Sequence, residues 1–150
     1  MSTNIDNTRK GYKAFAEGDL ATMTELIAPD CVWHVGGRSQ LAGDYAGHDE
    51  IFGYFGKLME LTDGTFAVKL EDVGELEGTG MVVSLVTTSG TRNGQTISTR
   101  MMELGRSNDA GQIAECWWFP EDQYAGDEFF GASEIVLPAQ QGAPSEPVTA

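Results

Sequence analysis

Residues 16–35 read AEGDLATMTELIAPDCVWHV, and they hold a helix break, a second helix and the start of a strand. Gly18-Asp19 ends the helical run before it, and Asp19 offers a side-chain oxygen to cap the next helix. Leu20, Met23, Leu26 and Ile27 recur at i, i+3, i+6 and i+7, which is one face of a helix. Pro29-Asp30 stops that helix, because the residue before a proline avoids helical backbone. Residues 31–36 then read as a short strand. An indole and an imidazole, Trp33 and His34, sit side by side in it.

Towards the N-terminus, residues 4–17 place Ile5, Thr8, Tyr12, Phe15 and Ala16 near one helical face, with Asn4 or Asp6 as the cap. Towards the C-terminus, residues 37–47 (GRSQLAGDYAG) are too rich in Gly, Ser and Asp for regular structure and read as a loop. Helix signals return at residues 48–61. There Asp49 and Glu50 suit the positive end of the helix, and Ile51, Phe52, Phe55, Leu58 and Met59 form its stripe.

From Thr65 the period changes to two, which predicts strands at residues 65–76, 80–91, 95–106 and 112–120. Glu77-Gly78, Arg92-Asn93-Gly94 and Asn108-Asp109-Ala110-Gly111 are the turns, and Asn-Gly is the strongest short hairpin signal. The expected fold is α+β: three N-terminal helices packed on a curved, mainly antiparallel sheet, with a conical cavity between them. One domain over residues 1–132 is expected. Residues 133–150 carry three of the five prolines and no period, and read as a disordered tail.

Composition narrows the function. At 150 residues the chain suits one domain with a real core. The formal charge is −14, from 23 acids against 9 bases. That balance argues against nucleic acid, whose phosphates need cations, and against an anionic membrane surface. The two cysteines, Cys31 and Cys116, match no disulfide framework or metal spacing. They read as buried thiols, which fits the cytoplasm. The N-terminus shows no apolar core of signal-peptide length, and no window approaches a membrane span. Phosphate-cradling, nucleophile-elbow and dinucleotide motifs are not found. His48-Asp49-Glu50 point about 100° apart on a helix and cannot chelate together, so no metal and no cofactor is expected.

The order of elements, together with residues 16–35, LAGDYAGHDEIFGYF at 41–55 and ELGRSNDAGQIAECWWFPEDQ at 103–123, resembles the SnoaL-like and ketosteroid-isomerase-like members of the nuclear transport factor two superfamily. The resemblance spans nearly all of residues 5–130 and implies a cystatin-like α+β barrel. It also implies a range of activities: isomerases, epoxide hydrolases, dehydratases, polyketide cyclases and pure binders. Aligned on the shared AxGDL pattern, the isomerase tyrosine falls at Gly11, with Tyr12 next to it. The catalytic base falls at Val35, and the protonated aspartate of the oxyanion hole falls at Glu103. Only that last role keeps an acid. The epoxide-hydrolase charged triad would fall near Val86, Thr88 and Trp118, so that chemistry is not expected.

On this register Glu103 faces the cavity with Thr99 and Met101, while Arg100 faces away. Trp118 and Cys116 share the cavity face of the last strand. Trp33 and Val35 point inward, and His34 outward unless a bulge at Gly36-Gly37 turns it. The catalytic candidates are Glu103 and His34 as acid and base, with Tyr12 as a donor. The candidate ligand-binding wall is Phe15, Trp33, Val35, Phe55, Met101, Cys116 and Trp118. Tyr45 either donates into the cavity or anchors its loop. The expected function is cofactor-free acid–base chemistry on a small apolar molecule. The alternative is a non-catalytic binder or accessory protein of the same fold. A homodimer is expected through the outer sheet face, where Met102, Trp117 and Phe119 would otherwise be bare.

Overall fold

The computed structural model of the chain describes residues 3–131, so the tail expected at residues 133–150 lies outside the described residues. The elements run α1 (Thr3–Glu17), α2 (Leu20–Leu26), β1 (Ile27–Val35), β2 (Gly43–Ala46), α3 (Gly47–Leu61), β3 (Ala67–Leu76), β4 (Met81–Arg92), β5 (Gln95–Ser107), β6 (Ile113–Pro120) and α4 (Gln123–Phe130). The strands form one curved, unclosed sheet in the order β2-β1-β6-β5-β4-β3. Among the described residues, only β1 and β6 pair in parallel. That one pairing brings the first strand against the last and bends the meander back over the N-terminal helices.

Alternation along the strands separates the two faces. On β4, Val82, Ser84, Val86 and Thr88 are buried, while Val83, Leu85 and Thr87 are not. The core is completed by Cys31 and Trp33 of β1 and by Ile51, Tyr54, Phe55 and Leu58 of α3. The β4–β5 hairpin turns at Asn93-Gly94, with φ of 51° and 80°. Positive φ at both central residues is what a type I′ turn demands, so this dipeptide sets the register that later brings Glu103 opposite Ser84.

The structure departs from the expected elements in four places. β1 begins at Ile27 rather than Cys31. Pro29 and Asp30 are exposed at a register shift between Ile27 and Val32, where a proline without an N–H costs no ladder bond. The expected loop at residues 37–47 contains β2, which pairs with β1 from Val32↔Ala46 to Val35↔Gly43. A fourth helix, α4, follows the sheet, capped by Asp122, whose carboxylate accepts from the Ala125 N–H at 3.1 Å. Finally, Leu20 and Met59 stand 55% and 36% exposed although their spacing placed them on apolar stripes. On α3 Tyr54 is buried instead. Asp19 caps α2 as expected, accepting from the Thr22 N–H at 3.1 Å.

Candidate active site

Two cross-strand rows on the inner face carry the site. In one, Ser84 of β4, Glu103 of β5, Trp118 of β6 and Val35 of β1 are successive partners. In the next, Gly105, Cys116 and Trp33 line up the same way. The two-residue period of the strands collects these side chains from distant parts of the chain.

Glu103 is 9% exposed. Its Oε1 accepts from the Tyr12 hydroxyl, which comes down from α1. Its Oε2 accepts from the Trp118 indole N–H and, at 3.2 Å, from the Cys116 thiol. Ser84, the cross-strand partner of Glu103 on β4, is buried beside this cluster. Burial pushes the Glu103 carboxyl above its ordinary range, because a charge in an apolar setting loses its hydration. The three donors pull the other way by bonding to the charged form, and burial is the larger effect. Burial, and then the nearby Glu103 charge, push the Tyr12 phenol and the Cys116 thiol up as well. The Cys31 thiol is pushed up to about 12 by burial first. Both cysteines are therefore protonated near neutral pH and act as packed thiols.

The aromatic wall is built edge to face. Phe15 and Trp33 each meet Phe55 at 5.2 Å between ring centroids, and Trp33 meets Trp118 at 6.0 Å. Trp118 stands between two small voids. One, about 50 Å³, is walled by Tyr12, Phe15, Trp33, Phe55, Glu103 and Trp118. The other, about 70 Å³, lies under α4 between Val35, Tyr54, Thr88, Met101, Trp118 and Phe130. The seven candidate wall residues thus divide. Phe15, Trp33 and Phe55 face the first chamber, Val35 and Met101 the second, and Trp118 both. Cys116, expected in the wall, lies behind Glu103 and lines neither. Gly11, where the alignment placed the family tyrosine, only lines the first chamber, and the bond to Glu103 comes from Tyr12.

His34 does not join this cluster. It lies on the outer face, stacked on Trp117 at 5.4 Å. Its Nδ1 is 2.8 Å from Asp44, and its Nε2 is 2.7 Å from Glu115, which also meets Arg106. Hydrogen bonds that it donates to Glu115 and then Asp44 raise its pKa. Both ring nitrogens are taken up by these carboxylates, on the face away from the Glu103 cluster. Gly36-Gly37 does not turn it inward. Gly37 has φ 91°, and α4 packs over it so closely that a Cβ there would lie 2.3 Å from Gln123.

Sequence reasoning missed Ser84, Tyr54 and the α4 cover. Asp127 of α4 accepts the backbone N–H groups of Arg38 at 2.9 Å and Ser39 at 3.2 Å, which pins the helix over the second chamber. Asp122 as a cap and Gly131 as a stop were the available signals. Tyr45 anchors its loop, donating to the Leu41 carbonyl at 2.7 Å and stacking on Tyr54. Among the described residues, no three His, Cys, Asp or Glu side chains come together as a metal-ligand set. Among the same residues, no helix is long and apolar enough to cross a membrane.

Known proteins share this architecture. The family model described as SnoaL-like domain matches residues 8–116. An uncharacterised protein of Mycobacterium tuberculosis is 37% identical over 128 residues, covering 85% of this chain and 95% of that protein. The structure of Bal32a, from a soil-derived mobile gene cassette, is 32% identical and superposes with a TM-score of 0.82 over 86% of this chain and 97% of its own. A Xanthomonas campestris protein of unknown function with a cystatin-like fold is 34% identical, with a TM-score of 0.79 over 87% and 99%.

Proposed function

The chain belongs to the SnoaL-like family, and from that premise we propose that it is a cofactor-free enzyme that moves a proton on a small, mostly apolar molecule. The observation that carries this reading is Glu103: a buried carboxyl at the wall of an apolar chamber, with its pKa raised and three donors fixed around it. With its pKa raised above the ordinary carboxylate range by burial, such a group can take a proton as carboxylate and return it as acid. Tyr12 holds the carboxylate in place and steadies its charge. The reaction class is isomerisation, dehydration, cyclisation or hydrolysis, each of which begins or ends with such a transfer.

Size sets a condition on the substrate. A chamber of about 50 Å³ is smaller than the roughly 150 Å³ that accepts a benzene ring. A ring-sized substrate therefore needs Trp118 to swing aside and join the two chambers, which also frees one donor from Glu103. The test is deuterium exchange at the α-carbons of small ketones in heavy water, run beside a panel of lactones, epoxides and polyketide-like aromatics. Wild type should exchange or convert at least one compound, and Glu103→Gln should slow it by about a hundredfold or more with the fold intact. An unchanged rate in the variant removes Glu103 from the mechanism.

A second reading, non-catalytic binding, draws on the same cluster: both Glu103 oxygens are already engaged by the protein's own donors. A small molecule that co-purifies and is recovered unchanged, with no exchange on the panel, favours it. For either reading we propose a homodimer through the outer face, where Leu85, Met102 and Phe119 adjoin across three strands at 41%, 38% and 46% exposure. A monomer by light scattering at micromolar concentration refutes the dimer.

A further inference from the structure

Trp33 carries a polar group that the fold leaves unused. The residue is 5% exposed, and its ring is clamped edge-on by Phe55 and Trp118. Its Nε1–H is fully buried and, among the described residues, is the one such side-chain nitrogen or oxygen without a hydrogen-bond partner. A buried indole N–H ordinarily finds an acceptor, as that of Trp118 does in Glu103. Trp33 is among the residues that line the same chamber as Glu103.

We propose that Trp33 is the ligand-recognition donor of this chamber, and that the ligand it takes is a neutral molecule bearing a carbonyl-type oxygen. A donor N–H calls for a lone pair, so a pure hydrocarbon leaves it orphaned. An organic cation offers it none. An anion would enter a chamber with no Lys, Arg or His in its wall, beside Glu103, on a chain of net charge −14. A neutral carbonyl satisfies the indole without bringing a charge into the cone. The inference rests on the reading that this chamber is where the ligand sits. It does not require that Glu103 act on that ligand.

The experiment compares cyclopentanone with methylenecyclopentane, a pair of similar size and shape that differ in the oxygen. Protein labelled with ¹⁵N at tryptophan is titrated with each, following the three indole N–H signals, assigned from the Trp33→Phe, Trp117→Phe and Trp118→Phe variants. The ketone should move the Trp33 indole proton downfield and the hydrocarbon should not. In Trp33→Phe the preference for ketone over hydrocarbon should fall roughly fivefold, the worth of one net hydrogen bond. An equal preference in wild type and variant, a ketone that leaves the Trp33 signal where the hydrocarbon leaves it, or failure of wild type to bind the ketone each overturns the proposal. The wild-type titration needs no variant, so a misfolded Trp33→Phe does not protect it. Deuterium exchange on the bound ketone separates the two ideas. Binding with the Trp33 signature but no exchange retains this proposal and sinks the catalytic one. Exchange lost in Glu103→Gln, with Trp33 indifferent, does the reverse.

Discussion

The two faces of the sheet each hold one titratable side chain in a cage of partners, and they treat it in opposite ways. Inside, Glu103 is surrounded by neutral donors and little water, so burial outweighs its hydrogen bonds and moves it towards the uncharged form. Outside, His34 sits between two carboxylates in contact with solvent, so its partners outweigh desolvation and move it towards the charged form. The two side chains belong to elements one strand apart, since β6 alone separates β1 from β5. What distinguishes the two groups is the dielectric around each and the charge of its neighbours.

The largest effect that could break this comparison is on activity. Glu103→Gln should cost about a hundredfold or more in proton exchange, and His34→Gln should leave exchange within about twofold. Equal losses in both would mean the outer cage is coupled to the chamber. Next comes stability. Phe55→Ala, inside, should cost about 3–5 kcal/mol in denaturant unfolding. Phe119→Ala, on the outer face, should cost far less in the monomer and should show mainly as a shift towards it in light scattering.

The smallest effects are the most diagnostic, because their pH dependence has a definite sign. The folded pKa of His34 is raised. Its contribution is therefore fully present below the unfolded pKa of about 6.5 and is lost as pH rises through the folded value. His34→Gln should lower Tm most in mildly acidic buffer and least in alkaline buffer. Glu103 is an acid with a raised folded pKa, so the native state bears its cost above that pKa and sheds it as pH falls. Glu103→Gln should raise Tm in alkaline buffer, with the gain fading towards acid. Thermal melts of both variants across pH check the pair, and a Glu103→Gln gain that grows towards acid would contradict the burial account.

Much of the fold was legible because it rests on local rules. The cap at Asp19, the turn at Asn93-Gly94 and the switch from helical to two-residue period each leave a mark within a few residues. Strand alternation, on the register implied by the family resemblance, also placed Glu103, Trp118 and Trp33 inward and Arg100 outward. β2 and α4 were missed because each is held mainly by a distant partner. β2 needs the edge of β1, and α4 needs the loop around Gly37 to receive Asp127. Tyr12 was suggested as a donor only by family position, which pointed one residue away, and its bond to Glu103 was not foreseen. A helix rotates about 100° per residue, so a one-residue offset decides which side chain enters the cone.

Trp33 and Trp118 are identical chromophores with centroids 6.0 Å apart and ring planes crossed at 67°. At such a separation their electronic transitions mix, and the oblique crossing makes the mixture chiral. The chamber should therefore contribute a paired positive and negative band to the far-ultraviolet circular dichroism spectrum, where the strong indole transition lies. Any molecule that turns the Trp118 ring alters the angle and with it the doublet. The doublet should then serve as an optical gauge of occupancy, readable without a label or a reaction.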